Sequence, residues 1–411
     1  MSLDRKFLIH IIDDDPDMLD TLSTIISEEG HEVITSRPSP TVVEQLLESP
    51  PDIVLTDLMM PPPDGMDILR ALKAEPRAAK TRVVIVSAKA YEFDRKRALD
   101  FGADGFITKP VNAPDLLATL EHVFEDKVSV DFYGVRGTLP RSGPGTYRYG
   151  GNTSCVTMEF PKGETFIFDA GTGIKELGDK YMREGRRNIV GRIFISHPHW
   201  DHINALPFFT PLYMQGNEFE IIGAAHGDKN MRELIGAQME DIYFPITMKE
   251  FGARVYFRNV KDGTFEVDQI PVTAMMLSHP GYCLGYRIDY NGRKIAYVTD
   301  NELYLKDNPA YNQHYVNRLV DYLKDVDVLI TDTTYMDEEY SSKVHWGHSC
   351  IGEVVKVADA AGVKQLCLFH HDPDQNDDAI DVKLETSAKM LANLGSSVKV
   401  TAPAEGDRIK V

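Results

Sequence analysis

Between residues 7 and 127, short β-rich apolar runs alternate with amphipathic stretches of helical period. Phe7–Ile12, His31–Ser36, Ile53–Thr56, Val83–Ser87 and Gly105–Thr108 read as strands. Helical patterns begin near Pro16, Pro40, Gly65, Tyr91 and Asp115. Five successive βα units predict a doubly wound parallel sheet, (βα)5, covered on both faces, with functional residues at the carboxyl ends of its strands. From Val128 the rhythm changes to many strands in two groups with helices interspersed. The candidates are Val130–Gly134, Cys155–Phe160, Thr165–Phe168, Arg192–Ile195, Ile270–Leu277, Leu284–Asp289, Lys294–Val298, Val326–Ile330 and Gln365–Phe369. Helical patterns follow Gly173, Lys229, Tyr311, Ser349 and Ala379. Two sheets with helices outside predict an αββα sandwich, making the whole chain α/β. The helix through Leu116–Phe124 leads into Val128 with no Gly/Ser or Pro-rich tether, so the expected domains are 1–127 and 128–411.

Length supports that division, because 411 residues exceed one ordinary core. A hydrophobic share of 43% and a charged share of 26% are those of an ordinary soluble protein. The net charge of −19 argues against nonspecific nucleic-acid binding and against an anionic membrane surface, without excluding a small phosphate ester in a locally positive pocket. Cys155, Cys283, Cys350 and Cys367 show no CxxC pairing, which fits reduced thiols. The first residues lead into a strand-like run rather than a signal peptide, and no stretch could span a bilayer. A cytoplasmic protein is expected.

The ends of the first five strands carry chemistry. Asp13 and Asp14 close the first, Asp57 the third, Ser87 the fourth and Lys109 the fifth. Three carboxylates in one crevice repel each other unless a hard cation sits among them, and oxygen ligands with room for water describe magnesium. Asp57 is then placed to attack a phosphoryl donor, with Lys109 and the Ser87 hydroxyl meeting the new phosphate oxygens. Pro110, after Lys109, suggests a cis or tightly turned bond. The motifs Ile12-Asp-Asp-Asp-Pro16, Thr56-Asp-Leu-Met-Met-Pro61, Ser87-Ala88 and Thr108-Lys-Pro110 closely resemble those of response-regulator receiver domains. The resemblance implies that Asp57 is the phosphoacceptor and that Asp13, Asp14, Asp57 and the Met59 carbonyl hold Mg2+. It further implies that Ser87 and Lys109 read the phosphate, that Phe106 is the switching aromatic, and that a sensor histidine kinase is the phosphodonor. The extra proline in Pro61-Pro-Pro-Asp-Gly65 departs from the family pattern.

In the second half, His197-Pro-His-Trp-Asp-His202 packs three imidazoles and a carboxylate into six residues, in a chain with only 13 histidines. His197 and His199 can point one way, and Asp201 and His202 toward a neighbouring point, so one loop supplies two ligands to each of two metal ions. Other strands stop at further ligands: Thr165–Phe168 at Asp169, Ile270–Leu277 near His279, Lys294–Val298 near Asp300, and Gln365–Phe369 at His370. Asp300 can bridge both ions while His279 completes one set and His370 the other, placing the ions ~3.5–4 Å apart around a water-derived nucleophile. His370 competes with His371, and strand alternation favours His370. Zinc is the default metal, with manganese or iron as alternatives. Arg136 and Arg148 could meet a substrate phosphate or lie on the surface, Cys350 reads as a buried helix residue, and Tyr243-Phe-Pro245 reads as packing in preference to walling the pocket.

Gly134-Val-Arg-Gly137, Tyr149-Gly-Gly-Asn-Thr-Ser-Cys155, Asp169-Ala-Gly-Thr172, the histidine motif, Ser278-His-Pro-Gly281, Thr299-Asp300, Gly347-His-Ser349 and Leu368-Phe-His-His-Asp372 resemble the metallo-β-lactamase superfamily. Within it they are most similar to the phosphodiesterase branch with RNase Z-like and cyclic-nucleotide phosphodiesterase-like members. The resemblance implies that His197, His199, His279 and Asp300 bind one metal, and Asp201, His202, Asp300 and His370 the other. His348 then stabilises or protonates the leaving group, Asp332 orients it, Asp201 belongs to the catalytic set, and Asp169 braces the metal loop. A histidine poised to protonate an alkoxide favours phosphodiesters. Asp300 stands where β-lactamases proper often have cysteine, and His199 where flavodiiron proteins have glutamate. The absence of a basic arm and the acidic balance disfavour RNA. The expected protein is a two-component response regulator whose output domain is a dinuclear metal hydrolase acting on a small phosphodiester, for which the resemblance suggests a cyclic nucleotide. It is regulated by Asp57 phosphorylation and works as a homodimer. The alternatives are a lactonase- or thioesterase-type hydrolase, and a non-catalytic signalling scaffold.

Overall fold

The computed structural model describes residues 6–88, 92–125 and 127–411; the expected helix start near Tyr91 and Asp126 of the join lie outside them. Contacts divide the chain into two compact units. The first is Met1–Val128 with Glu159–Glu164 and Arg183–Asn188, and the second is Ser129–Met158, Thr165–Met182 and Ile189–Val411.

In the first unit five parallel strands lie in the order Glu32–Ser36, Leu8–Ile12, Ile53–Asp57, Arg82–Ser87, Gly105–Thr108. Alternation along each strand loads both faces. Val54, Val83 and Ile85 pack with Leu46, Ile68, Leu69 and Ala98, which come from the helices Val42–Glu48, Gly65–Ala74 and Glu92–Asp100. Ile53, Leu55, Val84 and Val86 pack instead with Leu19, Leu22, Ile26, Leu116 and Leu120, from the helices Pro16–Glu28 and Ala113–Glu125. The central strand Ile53–Asp57 is buried throughout, so its last residue reaches the carboxyl edge with its backbone fully constrained.

In the second unit, two seven-stranded sheets are formed among the described residues. One runs Arg254–Asn259, Glu218–Gly223, Val190–Phe194, Thr165–Phe168, Cys155–Glu159, Ser129–Gly134, Arg408–Lys410. The other runs Gly263–Val267, Ile270–Met276, Leu284–Tyr290, Arg293–Val298, Val328–Asp332, Gln365–Phe369, Lys399–Thr401. Alternation again sorts the side chains. Ile167, Ile193 and Ile195 face the helix Gly173–Arg183 through Ile174, Leu177 and Tyr181. On the other sheet Ala296, Val298, Leu366 and Leu368 face helices through Leu319, Val354, Val355 and Leu391. The residues between them point inward and form an aromatic slab. Phe168 stacks on Phe194 with ring centroids 5.1 Å apart, and it meets Tyr297 at 5.4 Å and Tyr286 at 6.2 Å. Tyr297 in turn meets Phe369 at 5.7 Å. Burying so many rings between two sheets supplies much of the unit's hydrophobic stabilisation.

Five strands escaped the sequence reading: Glu218–Gly223, Arg254–Asn259, Gly263–Val267, Lys399–Thr401 and Arg408–Lys410. All but the first are outermost or next to chain-end loops, and their mixed polarity reflects faces left to solvent. The last pairs antiparallel with Ser129–Gly134, a partner nearly the whole unit away in sequence.

Two buried cations clamp the loops at the carboxyl edge. Arg136 is fully buried, in neither of the settings expected for it. Its Nε donates to Gly150 O at 2.7 Å and its Nη1 to Gln375 O at 2.6 Å. Lys383, on the helix Asp377–Leu394, is also fully buried. It donates to Thr333 O at 2.6 Å, Thr334 O at 3.0 Å and Gln375 Oε1 at 2.6 Å, one acceptor for each ammonium proton. Burial pulls its pKa down to about 7 against the opposing pull of Glu339 and Asp332. Above about pH 7 the folded protein therefore holds fewer protons than the unfolded chain, whose lysine keeps its ordinary value of 10.5. The stability contributed by Lys383 is least below 7 and grows as pH rises toward the unfolded value. Urea midpoints of wild type and Lys383→Met should accordingly diverge in favour of wild type between about pH 7 and about 9.5; parallel curves would contradict this.

Candidate functional site

The candidate metal cluster is assembled from four strand ends. The strand Val190–Phe194 delivers the loop bearing His197 and His199, and the short helix Trp200–Ile203 turns Asp201 and His202 inward. His279, Asp300 and His370 follow the ends of Ile270–Met276, Arg293–Val298 and Gln365–Phe369. The structure brings all seven together as two lobes sharing Asp300: His197, His199, His279 and Asp300, then Asp201, His202, Asp300 and His370. Asp300 Oδ2 lies 3.5 Å from His197 Nε2 and 3.7 Å from His279 Nε2, while Oδ1 lies 3.2 Å from His202 Nε2 and 3.0 Å from His370 Nε2. One carboxylate thus serves each lobe with one oxygen.

The donor set fits divalent cations. A tetrahedral ion with ligand bonds of about 2.0–2.1 Å sets its ligand atoms roughly 3.3 Å apart. In the second lobe, the separations of the two imidazoles from each other and from the two carboxylates run from 3.0 to 3.3 Å. The ring nitrogens turned away from the centre are engaged: His202 Nδ1 with Asp169 at 2.7 Å, His279 Nδ1 with Gly347 O at 2.9 Å, and His370 Nδ1 with Thr334 Oγ1 at 3.2 Å. His197 Nδ1 lies 3.1 Å from Ser196 Oγ, while its buried Nε2 has no hydrogen-bond partner. Such an orphan inside a protein is costly unless an ion takes its lone pair.

Electrostatics distinguish the lobes. Burial, reinforced by neighbouring imidazoles, pushes His197 well below the ordinary histidine value, and burial lowers His199 and His279 too. Each shift favours the neutral ring, the ligating form. In the second lobe burial also pulls downward, but the carboxylates win. Asp201 and Asp300 raise His202, and Asp300 with Asp201 carries His370 to about 10. Protons there occupy the place a cation would take, so the two compete for it.

Asp169 organises the floor. Its carboxylate accepts from Ser196 N at 2.7 Å, Ser196 Oγ at 2.8 Å and Tyr297 OH at 2.8 Å, besides His202. Both Asp169 and His370 have left-handed backbones, with φ of 60° and 59°. The turn at His370 swings it into the cluster. His371 instead sits 3.4 Å from Lys383 Nζ and edge-on to Tyr149. Glycines leave room for the rings: a Cβ at Gly137 would sit 2.0 Å from His370 Cε1, and one at Gly347 2.3 Å from His279 Nδ1. Thr138 N caps Asp201 Oδ2 at 2.7 Å.

Beside the lobes, His348 Nδ1 lies 3.0 Å from Asp332 Oδ2, and its ring stacks on His370 with centroids 4.9 Å apart. Asp332 is fully buried and also accepts from Thr334 N, Thr334 Oγ1 and Asn301 N, at 2.9, 2.6 and 3.1 Å. Burial works against a charged His348, yet Asp332 and Asp300 raise it above its ordinary value.

Several functional neighbours were not read from sequence. Buried Glu302 accepts from Tyr340 OH at 2.8 Å, His345 N at 2.7 Å and Gly347 N at 2.8 Å, shaping the loop that presents His348. The only sequence hint was a polar Asn301-Glu302 directly after the ligand. Lys383 gave none, because it falls within an amphipathic helical pattern. Arg148 is exposed and paired with Asp378 and Asp381, leaving no open fork for a phosphate. Tyr243 does not pack as expected but is exposed; its neighbour Phe244 meets Phe208 at 5.2 Å. Cys350 is buried at the position just before the helix Ile351–Ala360, without a side-chain cap hydrogen bond.

In the first unit Asp13, Asp14 and Asp57 gather their carboxylates at the sheet's carboxyl edge. Lys109 Nζ bridges Asp13 at 2.8 Å and Asp57 at 2.6 Å. Burial lowers the lysine, but its hydrogen bonds to the two carboxylates raise it overall. Met59 N donates to Asp57 Oδ1 at 3.1 Å, Ser87 is buried on the adjacent strand, and half-buried Phe106 packs on the core face. The Lys109–Pro110 bond is cis. Among the described residues no helix is long and apolar enough to cross a membrane.

Comparison with known proteins places both units. The response regulator receiver domain family matches residues 9–121, and the β-lactamase superfamily domain family matches residues 164–371, half of the chain. The transcriptional regulatory protein KdpE of Mycobacterium tuberculosis is 35% identical over 113 residues, 28% of this chain and 49% of KdpE. The chain spans about half the length of the curated relatives it matches. Among solved structures, the metallo-β-lactamase fold protein YhfI from Bacillus subtilis aligns with 70% of this chain and 100% of its own, at TM-score 0.49 and 16% identity. A diphosphatase from the PhnP family aligns over 69% and 98%, at TM-score 0.47 and 16% identity. The chain belongs to the β-lactamase superfamily and carries, ahead of that domain, a response-regulator receiver domain.

Proposed function

We propose that the protein is a two-component response regulator whose output is metal-dependent hydrolysis of a small phosphodiester, with domains 1–127 and 128–411. One observation carries the choice of phosphorus over carbon: the buried pair of Asp332 and His348, 3.0 Å apart, beside the shared Asp300. Hydrolysis of a lactone or thioester does not need a separate acid as strongly as the departure of an alkoxide from phosphorus.

The residues that would hold the cations are His197, His199, His279 and Asp300, and Asp201, His202, Asp300 and His370, with zinc best suited to the imidazole-rich lobe. When bound, two such ions supply an activated water and positive charge for the oxygens on phosphorus. The chain supplies the rest. Asp332, held by Thr334 and Asn301, fixes the His348 ring through Nδ1 and leaves Nε2 to give its proton to the departing oxygen. Asp201, capped by Thr138 N, keeps its carboxylate aimed at the second lobe.

In the receiver, a sensor histidine kinase supplies the phosphoryl group to Asp57. Asp13, Asp14 and the Met59 carbonyl complete an Mg2+ site with it, and Lys109, Ser87 and Phe106 respond to the new charge. Support comes from the three clustered carboxylates, the Lys109 bridge and the family match.

Replacing His348 with Ala should lower bis(p-nitrophenyl) phosphate turnover by about 10²–10⁴-fold while metal content stays that of the wild type. If lactones or a cephalosporin are cleaved in preference to the diester, or if the variant loses its metals, the assignment of His348 fails. Gly137→Ala should displace His370 and release about one metal equivalent per chain, read by metal analysis of the folded variant; two retained equivalents would remove His370 from the ligand set. Turnover or oligomer size should change when beryllofluoride or an acyl-phosphate donor is added, and Asp57→Asn should abolish the response. Identical rates and sizes would sever the receiver from the output.

A further inference from the structure

Two functional parts of the second unit meet at one buried hydroxyl. Thr334 Oγ1 lies 2.6 Å from Asp332 Oδ1, 2.8 Å from His370 O and 3.2 Å from His370 Nδ1. A threonine hydroxyl carries one proton and two lone pairs. The carboxylate and the His370 carbonyl are both acceptors, and the carboxylate is the nearer and the charged one, so it takes the proton. The Thr334 oxygen is then the acceptor for the His370 ring, and Nδ1 is the nitrogen that bears hydrogen. That leaves Nε2, which faces Asp300 and Asp201 at 3.0 and 3.2 Å, as the nitrogen able to ligate.

The hydroxyl is held in place from behind. The Thr334 carbonyl accepts from Lys383 Nζ and Gln375 Nε2, each at 3.0 Å, and Thr334 N donates to Asp332 Oδ1 at 2.9 Å. Tyr335 N donates to Ser349 O at 3.2 Å and its carbonyl accepts from Ile351 N at 3.1 Å, fastening the chain after Thr334 to the residues after His348. Thr333 offers a contrast one residue away. Its hydroxyl exchanges bonds with the backbone of Phe369, whose N and O both lie at 3.1 Å. Both threonines are buried and both hydroxyls are satisfied. Thr334 differs in that its partners are a member of the acid pair and a metal-ligand candidate.

We propose that Thr334 is a positioning residue that ties the His370 lobe to the Asp332–His348 pair, orienting through one hydroxyl both the ring that ligates and the ring that gives a proton. Asp332 Oδ1 takes the Thr334 proton while Oδ2 holds His348 Nδ1 at 3.0 Å. Losing the hydroxyl frees that carboxylate to turn, and with it the His348 ring, which stacks on His370 with centroids 4.9 Å apart. The use of the His348 proton rests on the phosphodiesterase reading; the tie itself rests on the hydrogen bonds. Removing an outer partner of this kind weakens metal affinity or activity by about 10–100-fold.

The full chain is compared with Thr334→Val, with Thr334→Ser as the rescue, and with Thr333→Val as the control for trading a buried hydroxyl for a methyl. Thr334→Ala takes the place of Thr334→Val if the latter does not fold. Competition with a chelator should show one of two zinc ions held about 10–100-fold more weakly in Thr334→Val. In the zinc-loaded protein, the Nδ1–H proton resonances of His370 and His348, assigned by their loss in His370→Ala and His348→Ala, should both shift. Across a series of aryl methyl phosphates, kcat/KM should fall more steeply as the departing phenol becomes less acidic, by about a further tenfold between p-nitrophenol and phenol. Thr334→Ser should restore all three readouts, and Thr333→Val should keep those of the wild type. A weakened ion with an unmoved His348 resonance and the wild-type dependence on leaving group overturns the tie. So does a Thr333→Val variant that reproduces the changes. If the wild type cleaves none of the esters, the phosphodiesterase reading falls, and the zinc affinity with the two resonances still decides whether Thr334 links them.

Discussion

The Asp300 carboxylate is the constraint around which the second unit is arranged. It is buried, and its two oxygens face different groups of imidazoles at 3.0–3.7 Å. A buried carboxylate is tolerated only when surrounding charge offsets the loss of water. Burial pushes its pKa up, but His370, His202 and His197 hold it well below the ordinary value. Protons on His202 and His370 can provide that positive charge; divalent cations can provide it without protonating the ligands. The same geometry that makes the cluster expensive without a cation makes it selective for one.

The fold places this cluster by anchoring it to the aromatic slab beneath. Phe168, Phe194, Tyr286, Tyr297 and Phe369 lock the two sheets face to face, and the hydroxyl of Tyr297 reaches Asp169 at 2.8 Å. Asp169 belongs to one sheet and Tyr297 to the other, so that bond couples sheet packing to the orientation of His202. Above, Lys383 and Arg136 gather the Thr333, Thr334, Gly150 and Gln375 carbonyls. Site geometry is therefore set by two layers that share almost no residues with the ligand set.

The receiver unit uses a different solution to the same problem. Its clustered carboxylates are offset by Lys109, an ammonium bridging Asp13 and Asp57. A single cation on a flexible stem can follow a change in the charge it offsets. The imidazole cage of the second unit instead holds its donors on short, packed side chains whose positions are fixed.

Much of both units was legible in the chain itself, because their ligands follow apolar strands. The strand pattern by itself places Asp57, Lys109, Asp169, Asp300 and His370 at carboxyl ends, and alternation of two faces is local information. The histidine motif was equally local, since one loop carries four donors. What only the tertiary structure decided is long-range or backbone-dependent. The pairing of Arg408–Lys410 with Ser129–Gly134 and the burial of Arg136 and Lys383 depend on partners far away in sequence. So does the role of Glu302. The left-handed turn that separates His370 from His371 depends on Gly137 making room, a fact no periodicity encodes. Periodicity reports which face a residue occupies; which other segment covers that face is settled only when the sheets close.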